Sequence, residues 1–196
     1  MIRRMLIGFV GLACCFSAEG QKIGIDLGKV KVVECRPTSI TARDLVSLAI
    51  NLRFTNTSQK NVLFYKEPSI IGGRVAAAKS ELQKAAVWQA DMVGDTQGAE
   101  KKSPGIDRFI RLKPTEHYDF YTTAERPELQ TIKPGKYWIQ MLVSTEPVEF
   151  YYSKKTRDQF QQQWKGSGDL ADSDLWTPPF EIEIKHPGQV CTEKPN

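Results

Sequence analysis

Residues 46–55 read VSLAINLRFT. Val46, Leu48, Ile50, Leu52 and Phe54 fall on one side of an extended chain, and Ser47, Ala49, Asn51, Arg53 and Thr55 on the other. Strand side chains alternate between faces, so this uninterrupted alternation predicts a half-buried strand. FEIEIK at 180–185 repeats it, with Phe180, Ile182 and Ile184 inward and Glu181, Glu183 and Lys185 outward. Between the two lie NVLFYK (61–66), DRFIRL (107–112), HYDFYT (117–122) and KYWIQMLVS (136–144), and KVKVVEC (29–35) supplies a first strand.

Turn chemistry separates these runs. TNTSQKN, LKPTEH and IKPGK hold the proline, glycine and asparagine that tight turns select. Short strands separated by such turns predict a mainly β chain, an antiparallel β-sandwich rather than βαβ units. Two segments break the rhythm. SELQKAAV (80–87) has Ser80 and Gln83 in capping-box spacing and predicts a short helix. The other is an insertion over about 145–177, before the last strand, where Thr156, Phe160 and Trp164 lie four apart on a helical stripe. VGDTQGAEKKSPG (93–105) is polar and glycine-rich, and reads as a loop.

The insertion ends in QQWKGSGDLADSDLW (162–176), whose glycines and aspartates resemble a ligand loop. A phosphate cradle needs its glycines before a helix, where free amides face the anion. Here Lys165 and Gly166 follow one, as a cation and a stop at the carbonyl end. A calcium loop begun at Asp172 finds Asp174 and Glu183 in place, but Trp176 and Thr177 where an acid and a glycine belong. The expectation is no metal and no cofactor.

The first twenty residues address the compartment. MIRRM is basic, LIGFVGLACCF is apolar and too short to span a bilayer, and Ala18 and Gly20 are small residues in cleavage positions. Residues 1–20 therefore read as a signal peptide and 21–196 as a single domain, either periplasmic or secreted. Cys14 and Cys15 allow a second reading, lipid attachment and a membrane-anchored lipoprotein, although neither has a full set of small and apolar residues before it. After cleavage Cys35 and Cys191 remain, and an isolated pair in an oxidising compartment reads as one disulfide.

The charge balance excludes a nucleic-acid partner. The whole chain carries 27 Lys and Arg against 23 Asp and Glu, and the basic residues are scattered. His117 and His186 are the only histidines, and the sequence has no zinc-helix, nucleophile-elbow or Walker motif. The expectation is a protein that is not an enzyme. What remains is surface: Tyr151, Tyr152, Trp164 and Trp176 concentrate aromatics in the insertion, where they either cover one end of the fold or form a binding patch. NTS at 56–58 has the form of a glycosylation acceptor and reads as a turn between strands.

IKPGKYWIQMLV, with Ile132, Pro134, Gly135 and Tyr137, resembles the approach to a late strand in immunoglobulin-like and fibronectin-III-like sandwiches. That resemblance implies a corner tyrosine, Tyr137, whose hydroxyl ties back to the backbone. Leu112, Pro114 and Tyr118 form a looser second match. The likeness covers the strands only and carries no catalytic residue. YDF (118–120) and NLRFTNTS (51–58) resemble small bacterial β-sandwich proteinase inhibitors. Three functions follow as expectations: an exported envelope binding module for another protein, a secreted proteinase inhibitor, or a carbohydrate or cell-wall binder using Tyr151, Tyr152 and Trp176.

Intact mass spectrometry checks the processing. The expected species begins at Gln21 and gains two hydrogens on reduction. A lipid-bearing mass beginning at Cys14 or Cys15 would replace the free domain with a tethered one.

Overall fold

The computed structural model describes residues 22–35, 45–89, 103–125 and 133–184. The signal segment with Cys14 and Cys15, most of the 93–105 loop, Ile132, His186 and Cys191 lie outside these residues, as does the side chain of Cys35. The described chain is mainly β. Its first strands are β1 (Ile23–Cys35), β2 (Leu45–Asn56), β3 (Val62–Tyr65), β4 (Ser69–Ala76) and β5 (Trp88–Gln89). Then come β6 (Phe109–Leu112), β7 (His117–Glu125) and β8 (Gly135–Ser144). Helices α1 (Val148–Tyr152) and α2 (Lys154–Gln163) precede β9 (Asp169–Leu170), β10 (Asp174–Trp176) and β11 (Phe180–Ile184).

Three sheets result. β2 lies between β1 and β7, antiparallel to both. β8 pairs antiparallel with β4 along one edge, and β4 carries β5. The other edge of β8 is shared: β10 takes Leu142–Ser144 and β11 takes Gly135–Ile139. In the third sheet β3 is antiparallel to β6 but parallel to β9. That parallel pair corrects the expectation of antiparallel pairing throughout. It is possible because Gly168 brings the backbone against Asn61; a Cβ there would meet the Asn61 carbonyl oxygen at 2.8 Å.

The alternation of VSLAINLRFT holds over residues 50–54; Ala49, expected outward, is buried, and the side chains of Val46 and Ser47 lie outside the described ones. Leu48, Ile50, Leu52 and Phe54 are fully buried, while Asn51 and Arg53 are exposed. They join one apolar cluster with Val62, Phe64 and Leu112 of the third sheet and Ile139, Met141, Val143, Ile182 and Ile184 of the second. All three sheets thus bury their inner faces against one another. On the outer face Arg53 grips Asp119 of β7 through two hydrogen bonds, 2.7 and 3.0 Å.

Two local expectations change. The 80–87 helix is a 3₁₀ segment at Lys79–Lys84, begun by Ala78 with no side-chain cap. Ser80 therefore closes no capping box, and Gln83 reaches across to Arg74 and to Gln140 of β8. β4 has no counterpart in the alternation analysis, because Gly72 and Gly73 interrupt its pattern. Those glycines admit β5: a Cβ on Gly73 would lie 2.4 Å from the Trp88 ring.

Asn56 ends β2 fully buried. Its Nδ2 donates to the carbonyls of Lys60 and Leu112 at 2.8 and 2.9 Å, and its Oδ1 accepts from the Ser58 amide and hydroxyl. The nitrogen a glycan would need is therefore already committed inside the fold. Asn56→Ala should cost about 2–3 kcal/mol, since it takes the buried Nδ2 donor from the Leu112 carbonyl and the acceptor from the Ser58 amide, while the Ser58 hydroxyl keeps the Lys60 carbonyl. Urea unfolding checks this, with a lowered midpoint at unchanged slope as the expected outcome.

Candidate functional site

The insertion rests on a second apolar cluster: Leu63, Tyr65, Phe109, Phe150, Phe160 and Leu170, with Ile106 and Trp164 partly buried against it. Phe109 and Phe160 are the closest rings, 4.5 Å between centroids, and Phe150 lies 5.3 Å from Phe160. A five-residue helix such as α1 cannot hold itself in water. Phe150 and a polar clamp hold it here. The Arg108 guanidinium donates to Glu149 of α1 at 2.5 Å, to Glu67 at 3.2 Å and to the Tyr65 hydroxyl, which itself donates to Glu67 at 2.9 Å.

Electrostatics follow from this clamp. Burial and the hydrogen bond to Glu67 push the Tyr65 phenol well above its ordinary value. The hydrogen bonds from Tyr65 and Arg108 hold the Glu67 carboxyl below its own. Desolvation works against the Arg108 charge, but hydrogen bonding to Glu149 and its neighbours leaves that pKa raised.

α2 begins at Ser153, whose hydroxyl accepts from the Thr156 amide at 3.2 Å. Its stripe is as expected on one point: Phe160 is buried to 1% exposure. The helix ends earlier than Lys165, with Trp164 as its C-cap, and Gly166 does not take a left-handed conformation. The glycine under constraint is Gly168. Asp172 pairs with Arg157 of α2, and Asp169 lies 3.9 Å from Lys22. Glu146 sits 4.0 Å from Arg157, and its pKa is raised because burial outweighs that charge.

The four aromatic candidates separate into three environments. Tyr151 and Tyr152 stand in solvent, 67% and 40% exposed, their rings edge-to-face at 5.3 Å. Trp164 packs on Phe160 at 6.5 Å and belongs to the second cluster. Trp176 lies in β10 beneath Arg74, whose guanidinium is 4.4 Å from its ring centre. Trp138 of β8, absent from the candidate set, carries Lys79 at 5.0 Å in the same way. Outward alternation in KYWIQMLVS was the signal for it: Trp138 and Gln140 share the polar phase of that strand.

No family model matches the sequence, and no curated protein does. A solved structure, the Northeast Structural Genomics Consortium target SoR45, is similar at a TM-score of 0.32 and 10% identity, over 89% of this chain and 95% of that one.

The clamp makes a pH prediction. A carboxylate whose folded pKa lies below its ordinary 4.5 adds stability above that value and loses it as pH falls through the folded pKa. Glu67→Gln should therefore be less stable than wild type at neutral pH, and the gap should close as pH falls below about 4.5. Urea midpoints measured for both proteins across that range give the difference directly.

Proposed function

We propose that this chain is an exported, non-enzymatic binding module built on an immunoglobulin-like sandwich, and that it engages an envelope protein through Tyr151 and Tyr152. The sandwich reading is supported by the Tyr137 hydroxyl, which donates to the Lys133 carbonyl at 2.8 Å, the tie a corner tyrosine makes. The binding reading rests on one observation: two large aromatic side chains are kept in solvent on a helix whose neighbouring Phe150 is 3% exposed. The rings stand on an anchored support, so little conformational freedom is lost when a partner covers them.

Tyrosines of this kind supply the buried anchors of protein interfaces, and charge suits the rim. Lys154 and Lys155 are exposed next to the pair, which favours a partner with acidic side chains around an apolar pocket. The glycan reading is less well supported. Of the three rings it would use, Tyr151, Tyr152 and Trp176, the tryptophan already carries Arg74 and sits on β10, apart from the tyrosine pair on α1.

A photo-crosslinking residue at position 151, with another at exposed Lys84 as control, tests the proposal in living cells. The expected result is a discrete protein adduct at 151, absent at 84 and lost when Tyr152→Ala is added. An absence of adduct at 151 would overturn the assignment. Glycan-array binding abolished by Trp176→Ala would replace it with the carbohydrate reading.

A further inference from the structure

The two outer strands of the first sheet differ in how their edges are protected. β1 shifts register between Leu27 and Val30, and carries Lys29 and Lys31 beside that irregularity. Bulges and lysines are the ordinary means by which a sheet edge avoids pairing with another chain. β7 has neither. It runs in unbroken register with β2 from His117 to Glu125, contains no lysine and no proline, and exposes Tyr121 to 61%. Among the described residues, no strand pairs with its outer edge.

The hydrogen-bond parity identifies the free groups. The Thr57 amide donates to Lys22 on the β1 side, and the Asn56 amide to Glu116 on the β7 side. Successive residues of an antiparallel strand direct their N–H and C=O to opposite sides. Even-numbered residues of β2 therefore bond β7, and they stand opposite even-numbered residues there, such as Phe54 opposite Tyr118 and Leu52 opposite Phe120. The amides and carbonyls of His117, Asp119, Tyr121, Thr123 and Glu125 point away from the sheet.

We propose that this edge pairs with β7 of a second copy of the chain, antiparallel about a two-fold axis at Tyr121. In that register every outward residue faces another: His117 opposite Glu125, Asp119 opposite Thr123, and Tyr121 opposite itself. Each exchanges both of its main-chain bonds with its partner. The axis position is set by ladder length. At Tyr121 all five outward residues of each strand are paired, whereas moving the axis one residue in either direction drops one of them from each strand. Asp119 is held on the solvent face by Arg53, and the exposed Tyr121 rings gain each other's cover.

Sedimentation velocity on the full chain, processed as its own cells process it, should show a concentration-dependent dimer. Thr123→Pro removes an outward N–H and none that bonds β2, so the fold should survive, with an unchanged circular dichroism spectrum and melting temperature. The same variant should weaken the dimer at least about tenfold, each 1.4 kcal/mol of lost association being tenfold. Opposed residues of a bonded antiparallel pair lie at about 5.5 Å, within disulfide reach. Tyr121→Cys should therefore form an oxidised dimer linked 121 to 121, while Thr123→Cys, which faces Asp119, should not. A monomer at every concentration would overturn the proposal, as would a dimer indifferent to Thr123→Pro. A monomer that instead adds an extended segment of some other protein at this edge would overturn it too.

Discussion

β8 has one edge left after β4 is paired, and the chain returns to that edge twice. The division is made by Thr177-Pro178-Pro179. Two prolines have no N–H to give a ladder, so β10 and β11 cannot form one continuous strand. The break would strand donors and acceptors on β8, and Thr177 prevents that. Fully buried, it donates its amide to the Met141 carbonyl at 2.9 Å and accepts the Met141 amide on its hydroxyl at 3.0 Å. Gln140 caps the arrangement by donating to the Thr177 carbonyl. Thr145 serves the upstream end in the same way, exchanging hydrogen bonds with Ser173 and reaching Ala171.

The insertion depends on those two threonines. Its ends are fixed on one strand, Ser144 at the start and Asp174 opposite it on return, so the thirty or so residues between them form a closed excursion. β9 fastens the middle to β3, and the phenylalanines of α1 and α2 fill the space above β6. Arg108 then ties the excursion to the strands through Glu149, while Arg157 ties α2 to the returning chain through Asp172. These pairs are only partly buried, with both arginines about a third exposed, so they fix one placement of the helices rather than adding much to the folding free energy.

What could be read from the residues alone divides along the same line. β2 and β11 were legible almost to the residue, because each buries one face and alternation is a local property. Tyr137 was legible because its partner, Lys133, is four residues away. β4, β9 and β10 were not. Short strands exist where a neighbour supplies the ladder, and β4 holds two glycines whose purpose is the Trp88 ring of another strand. The Arg108 clamp collects residues from 65 to 149 and has no signature at short range; Asn56 was legible as a turn residue through Ser58 and Lys60, but its bond to Leu112 was not. In the insertion, helix and stripe could be read, but the separation of Tyr151 and Tyr152 from Trp164 and Trp176 depends on which ring each cluster claims.

The two exposed aromatic features belong to different halves of this packing. Tyr151 and Tyr152 are carried by α1, whose anchor Phe150 lies in the second cluster, whereas Tyr121 lies on β7, whose inward neighbours Tyr118 and Phe120 pack on the first. Substitutions in separate clusters with no shared partner act nearly independently. Self-pairing through β7 would then leave the α1 surface unchanged, and a dimer would present two copies of the tyrosine pair at once. Joined sites of that kind bind a clustered or repeated partner far more tightly than either alone, provided the geometry lets both engage. If the proposed contact of Tyr151 and Tyr152 is weak, that doubling would strengthen it without any change in the contact itself.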